Sequence, residues 1–110
     1  MIGAGISRRS ITTDRHRTVW LEAGPTDGPL MIFLHGWPEL GLVSRQQIEY
    51  FSRKGWRCAA PDMRGYGGSS RPDCTAAYAV RELVADMIEL HDALDGAPVW
   101  VGHDWGSAVA

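Results

Sequence analysis

An α/β fold with a mostly parallel sheet and flanking helices is predicted by two observations on this sequence. Short apolar runs alternate with one long helical pattern, and chain reversals rich in glycine and proline punctuate them. The chain has 110 residues, the size of one small domain, and its 45% hydrophobic content is enough for a core.

The elements follow in order. Ile6 to Thr12 and Arg17 to Ala23 read as strands around a polar turn at Thr13 to His16. Thr26-Asp27-Gly28-Pro29 is a second turn, and it opens Leu30-Met31-Ile32-Phe33-Leu34, a strand apolar on both faces. A moderately amphipathic helix is expected from about Leu42 to Lys54, ended by Gly55. Trp56 to Ala60 then forms a strand stopped by Pro61-Asp62. A glycine- and serine-rich loop runs from Arg64 to Pro72. After it, Val80, Leu83, Val84, Met87, Ile88, His91 and Leu94 recur at helical steps, with Gly96 and Pro98 as stop signals. Val99 to Val101 is a short last strand.

Bulk chemistry narrows the partners. The formal charge is −2, so there is no basic footprint for nucleic acid, and a small molecule is the expected partner. Cys58 and Cys74 lack the spacing of a zinc site or a disulfide framework, which fits a reducing, cytoplasmic setting. The run Leu30 to Leu34 falls far below the ~18 apolar residues that a membrane span needs.

The last strand leads directly into Gly102-His103-Asp104-Trp105-Gly106. A strand ending at Gly102 and a helix beginning near Gly106 would compress the residues between them into a sharp turn that exposes Asp104 at the carboxyl end of the sheet. A carboxylate there is ionised at neutral pH and attacks without a base. Attack on an sp³ carbon leaves an alkyl-enzyme ester that water must hydrolyse, and it is the hydrolysis that needs an oxyanion hole. The backbone N–H of Trp105 is one expected donor. In the loop His35-Gly36-Trp37-Pro38, Pro38 cannot donate, so the Trp37 N–H is the other.

Taken together, His35-Gly36-Trp37-Pro38-Glu39, Pro61-Asp62-Met63-Arg64-Gly65-Tyr66-Gly67-Gly68-Ser69-Ser70-Arg71-Pro72 and Gly102-His103-Asp104-Trp105-Gly106 resemble the ordered signatures of α/β-hydrolase-fold epoxide hydrolases. The resemblance implies that Asp104 opens an epoxide to a hydroxyalkyl ester and that the Trp37 and Trp105 amides hold the oxyanion while water releases a vicinal diol. It implies no metal and no organic cofactor. Haloalkane dehalogenases share the Asp nucleophile and the His-Asp-Trp-Gly tetrad. Trp37 and Arg64-Gly65-Tyr66-Gly67 favour the epoxide hydrolases over them.

Other assignments weigh less. Asp104 taken alone would be a helix N-cap, but its flanking glycines and the two companion motifs favour a nucleophile position. Ser107 falls in the first helical turn rather than at the tip. Gly65 to Gly68 lacks the Lys-Ser/Thr ending of a phosphate cradle and reads as a turn with unusual backbone angles. His35 and His103 are expected to fix loops, and His91 to lie on the inner or boundary face of its helix. Gly41-Leu42-Val43-Ser44 departs from the family's aromatic pattern after the first motif.

In the resembled family the general-base His, its acid partner and the lid tyrosines all lie beyond the position matching Ala110, and His16, His35, His91 and His103 do not match that late His. The chain is therefore expected to be an N-terminal partial core domain, residues 1–110, with little or no turnover by itself. The other expectation is a non-catalytic remnant or interaction module that self-associates through an open strand edge at Val99 to Val101.

Overall fold

The computed structural model describes residues 6–35, 44–72, 78–94 and 96–103, together with Gly106 and Val109. Strands β1 (Ser7–Thr12), β2 (Arg17–Ala23), β3 (Leu30–Leu34), β4 (Arg57–Asp62) and β5 (Val99–Gly102) form one sheet in the order β1-β2-β4-β3-β5. Helices α1 (Arg45–Arg53) and α2 (Val80–Leu94) make the crossovers β3-α1-β4 and β4-α2-β5.

The sheet is mixed. β3 pairs in parallel with β4 and with β5, whereas β1 and β2 join by an antiparallel hairpin and β2 pairs antiparallel with β4. Parallel pairing thus covers the crossover half alone, because a tight turn such as Thr13 to His16 can return only an antiparallel neighbour.

Alternation along β3 supplies both faces of the core. Leu30, Ile32 and Leu34 pack with Trp20, Ala59 and Met63 against Met87, Leu90 and Leu94 of α2. Met31 and Phe33 pack with Leu21, Ala23, Cys58 and Ala60 against Ile48 of α1. β3 is apolar throughout because each of its faces has a helix to meet.

Two element ends differ from the sequence expectation. Pro61 and Asp62 do not stop β4. They continue it, opposite Trp20 and Val19 of β2. The β3 register ends at Ile32↔Ala59, so the proline sits where β4 has a single partner and an absent N–H is tolerated. In α2 the buried seam is Asp86, Met87, Leu90 and Leu94, while Val80 and Ile88 are exposed. The apolar pattern there is wider than the face that packs, and one of the buried positions is charged.

Helix α1 ends as expected at Gly55, which has φ +91°. The Trp56 N–H donates to the Phe51 carbonyl at 3.1 Å and the Gly55 N–H to the Ser52 carbonyl at 3.2 Å, the paired closure that requires a left-handed residue. Beyond α2, β5 is the last strand of the sheet order, with Val99 47% and Val101 37% exposed.

Candidate active site

The carboxyl ends of β3, β4 and β5 carry the three sequence motifs, and hydrogen bonds knit those ends together. Beyond β5, the His103 N–H donates to the Leu34 carbonyl at 3.0 Å, and the Gly106 N–H donates to the His103 carbonyl at 2.9 Å. A Cβ on Gly106 would collide with the carbonyl oxygens of Leu34 and His35. Glycine at this position is what lets the chain after β5 press against the end of β3. Val109 then enters the core beside α2.

His35, at the end of β3, is buried, and its Nε2 accepts the Met63 N–H at 2.9 Å. An accepting imidazole nitrogen carries no proton, so this bond requires the ring with Nε2 bare. The ring also stands edge-on to Tyr66, with centroids 5.0 Å apart at 81°. The expectation that His35 fixes a loop is met, and the partner is the second motif.

That motif is built as a brace. Gly65 and Gly67 have φ +90° and +52°, the unusual angles its glycines predict. The Tyr66 N–H donates to the Met63 carbonyl at 2.9 Å, and the Gly65 N–H to the Ser70 carbonyl at 2.8 Å. The Asp62 carboxylate accepts the Gly68 N–H at 3.2 Å. Ser69 Oγ accepts the Val19 N–H at 3.0 Å and Ser70 Oγ the Arg17 N–H at 2.9 Å, fastening the loop to the start of β2. The polar residues of the motif therefore satisfy backbone groups, and no phosphate cradle is needed to account for them.

A buried charged cluster beneath this loop was not legible in the sequence. Asp86 of α2 receives Arg64 through a two-pronged contact, Nη2 to Oδ1 at 2.7 Å and Nε to Oδ2 at 2.9 Å. Arg15 Nη2 donates to the same Oδ1 at 2.9 Å, and Arg15 Nη1 donates to Glu89 at 2.9 Å. His16 Nε2 lies 3.5 Å from Asp86 Oδ2 yet makes no hydrogen bond among the described residues. Burial lowers the His16 pKa below its ordinary value; Asp86 and Glu89 oppose that shift, and Arg64 and Arg15 reinforce it. The available sequence signal was an aspartate beside Met87 in an apolar seam, with unassigned arginines in the motif and the first turn.

Asp104, Trp105 and Trp37, the expected nucleophile and oxyanion donors, lie outside the described residues, as does Ser107. Of their neighbours in the sequence, His35, Gly102, His103 and Gly106 come together at one end of the sheet. A cleft of 270 Å³ opens there, lined by Phe33, Leu34, His35, Ser44, Gln47, Val101 and His103. Its walls are mainly apolar, the kind that takes up a small organic molecule. His91 lies on the boundary of α2, as expected, with its side chain 42% exposed.

A crossover α/β sheet whose end strand runs into a glycine-flanked turn is the arrangement of one large class of hydrolytic folds. A family model described as the alpha/beta hydrolase fold matches residues 29–110, and the chain belongs to that family. Within it the chain is similar to epoxide hydrolase A of Mycobacterium tuberculosis, 43% identical over 104 residues, which are 94% of this chain and 32% of that protein. It is 38% identical over 110 residues to the epoxide hydrolase of Caballeronia sordidicola, covering 99% of this chain and 33% of the relative. A crystal structure of an epoxide hydrolase from Vigna radiata superposes with a TM-score of 0.90 at 39% identity, over 96% of this chain and 32% of that one. The chain thus spans about a third of the length of the relatives it matches.

Proposed function

We propose that this chain supplies the nucleophile-bearing part of the core domain of an epoxide hydrolase. The observation that supports the reading is the junction of His103 and Gly106, which border Asp104 and Trp105 in the sequence, with the Leu34 and His35 carbonyls ending β3. Similarity near 40% to proteins named epoxide hydrolases supports it. An Asp104 oxygen attacks an epoxide carbon, the C–O bond breaks, and the ring oxygen takes a proton to become a hydroxyl. Water then adds to the ester carbonyl and loses a proton to a base, and the tetrahedral oxyanion rests on the Trp37 and Trp105 N–H groups. Collapse of that intermediate frees the diol and restores the carboxylate. Substrate and water are the only other participants, with no cofactor.

The test uses a full-length hydrolase carrying this sequence. It is expected to convert a reactive epoxide to a diol, and Asp104→Ala should abolish turnover. Full activity in that variant would remove Asp104 from the mechanism. Halide release from haloalkanes without diol formation would instead assign the dehalogenase chemistry. The 110-residue chain alone is expected to give no sustained turnover, because the family's water-activating base has no counterpart among its histidines.

The same chain, taken by itself, is proposed to self-associate through β5, an end strand whose Val99 and Val101 are exposed. Size measured over a range of concentrations checks this, and a monomer at every concentration would refute it. A cytoplasmic setting is proposed because Cys58 and Cys74 lack the spacing of a disulfide framework; burial pushes the Cys58 thiol up to about 11. Among the described residues, no helix is long and apolar enough to cross a membrane.

A further inference from the structure

We propose that Asp86 is a positioning residue for the oxyanion loop and acts through Arg64, the second motif and His35. The inference rests on the function proposed above.

Each link is a direct contact. Asp86 is 1% exposed and grips both Nε and Nη2 of Arg64, which fixes the plane of the guanidinium as well as its place. Arg64 immediately follows Met63, whose N–H is the group bonded to His35 Nε2 at 2.9 Å. Two residues on, Tyr66 closes a turn back onto the Met63 carbonyl and presents its ring edge-on to the same imidazole. His35 is therefore held from two sides by the residues that bracket Arg64. Its backbone leads directly into Gly36 and Trp37, and its carbonyl is one of the two against which Gly106 packs.

The chemistry fixes which step should respond. Opening the epoxide puts no charge on the Asp104 carbonyl oxygen, whereas hydrolysis of the ester turns an ester oxygen into an oxyanion. A donor displaced from that oxygen slows the second step and spares the first. A residue that only holds the fold together would lower both steps alike, through the fraction of folded enzyme.

Asp86→Asn keeps the size of the side chain and removes its charge. In the full-length hydrolase it is expected to slow ester hydrolysis roughly tenfold, less than the ~10²–10³ lost when an oxyanion donor is deleted outright. Ester formation should stay within about twofold, so that the alkylated peptide containing Asp104 accumulates in rapid-quench mass spectrometry. Arg64→Lys keeps a cation but not the two-pronged grip, and should shift the balance between the steps in the same direction. Glu22→Gln, in a buried ion pair at the other end of the sheet, should leave that balance unchanged even where it lowers stability.

Equal slowing of both steps in Asp86→Asn and Arg64→Lys, or no slowing in either, would overturn the inference. Failure of the unaltered enzyme to form any Asp104 ester is a different result, and it would overturn the nucleophile assignment beneath it.

Discussion

Two buried carboxylates, Asp86 and Glu22, hold opposite ends of the same sheet, and the difference between them separates what serves the site from what serves the fold. Glu22 of β2 lies opposite Ala59, in the half of β4 nearer its start. It accepts Trp20 Nε1 at 3.0 Å and Arg57 Nε at 3.1 Å, and the same Arg57 caps α2 by donating to the Leu94 carbonyl at 2.6 Å. Its contacts therefore join β2, β4 and the last turn of α2, all of them framework. Asp86 binds Arg64 where β4 has ended and the motif loop has begun. In open α/β sheets the carboxyl ends of the strands gather the chemistry, so a buried ion pair there tethers loops, whereas one at the opposite end tethers elements.

The widest gap between the two ends should come from deleting each carboxylate. Asp86→Ala removes the two-pronged partner of the buried Arg64 and an ion-pair partner of Arg15, and should cost about 3–5 kcal/mol. Glu22→Ala should cost about 1–3 kcal/mol, because Arg57 keeps the Leu94 carbonyl and Arg9 reaches Glu22 from a largely solvated position. Urea unfolding of both variants measures the difference. A larger loss for Glu22→Ala would reverse the ranking of the two ends.

Two glycines extend the contrast. Gly106 packs on the Leu34 and His35 carbonyls, and Gly24, with φ +95°, packs on the Trp56 carbonyl near the start of β4. Alanine at either should cost about 1–3 kcal/mol by forcing backbone apart. The Gly106 variant should also lose ester formation in the full-length enzyme beyond its loss of folded protein, and the Gly24 variant should not. Epoxide turnover per folded molecule is the measurement, and equal values for the two variants would erase the distinction.

The same two ends differed in how far the sequence disclosed them. Strand β3 and the hairpin of β1 and β2 were legible because alternation and turn chemistry are local. The motif loop was legible as a turn because Gly65 and Gly67 occupy backbone angles that other residues resist. Pro61 was misleading as a strand stop, since a proline's effect depends on how many neighbours the strand has, and only the assembled sheet decides that. Asp86 and Glu22 were invisible for a related reason. Their partners lie 22 residues away at Arg64 and 35 away at Arg57, and no local pattern reports such pairing.

Acid should also tell the ends apart. His16 faces Asp86 and Glu89, which favour its proton, and Arg64 and Arg15, which oppose it; with burial foremost, its folded pKa lies below the ordinary histidine value of about 6.5. The unfolded chain therefore binds the proton more readily. Stability contributed by neutral His16 is complete above about pH 6.5 and is lost as pH falls toward the folded pKa. Unfolding free energy measured from pH 7.5 to 5 should decline, and His16→Gln should flatten part of that decline. Glu22→Gln should leave the His16 part of the slope intact, since the Glu22 carboxylate bonds Arg9, Trp20 and Arg57 and does not contact His16. An unchanged slope in His16→Gln would exclude the histidine as its source.

The smallest effects belong to the outermost arginine at each end. Arg15 bridges Asp86, Glu82 and Glu89 with its side chain 35% exposed, and Arg9 reaches Glu22 with its side chain 52% exposed. Solvent screens both, so Arg15→Gln and Arg9→Gln should each cost about 0.2–1 kcal/mol and lose much of that in high salt. Similar small losses at the two ends would locate the difference between them in the buried pairs, Asp86 with Arg64 and Glu22 with Arg57. Arg15→Gln should have one further consequence that Arg9→Gln lacks. Arg15 is among the cations holding the His16 pKa down, so its removal lets that pKa rise toward the unfolded value and makes the acid slope shallower. A steeper slope in Arg15→Gln would mean that its contact with Asp86 shields His16 in some way other than by charge.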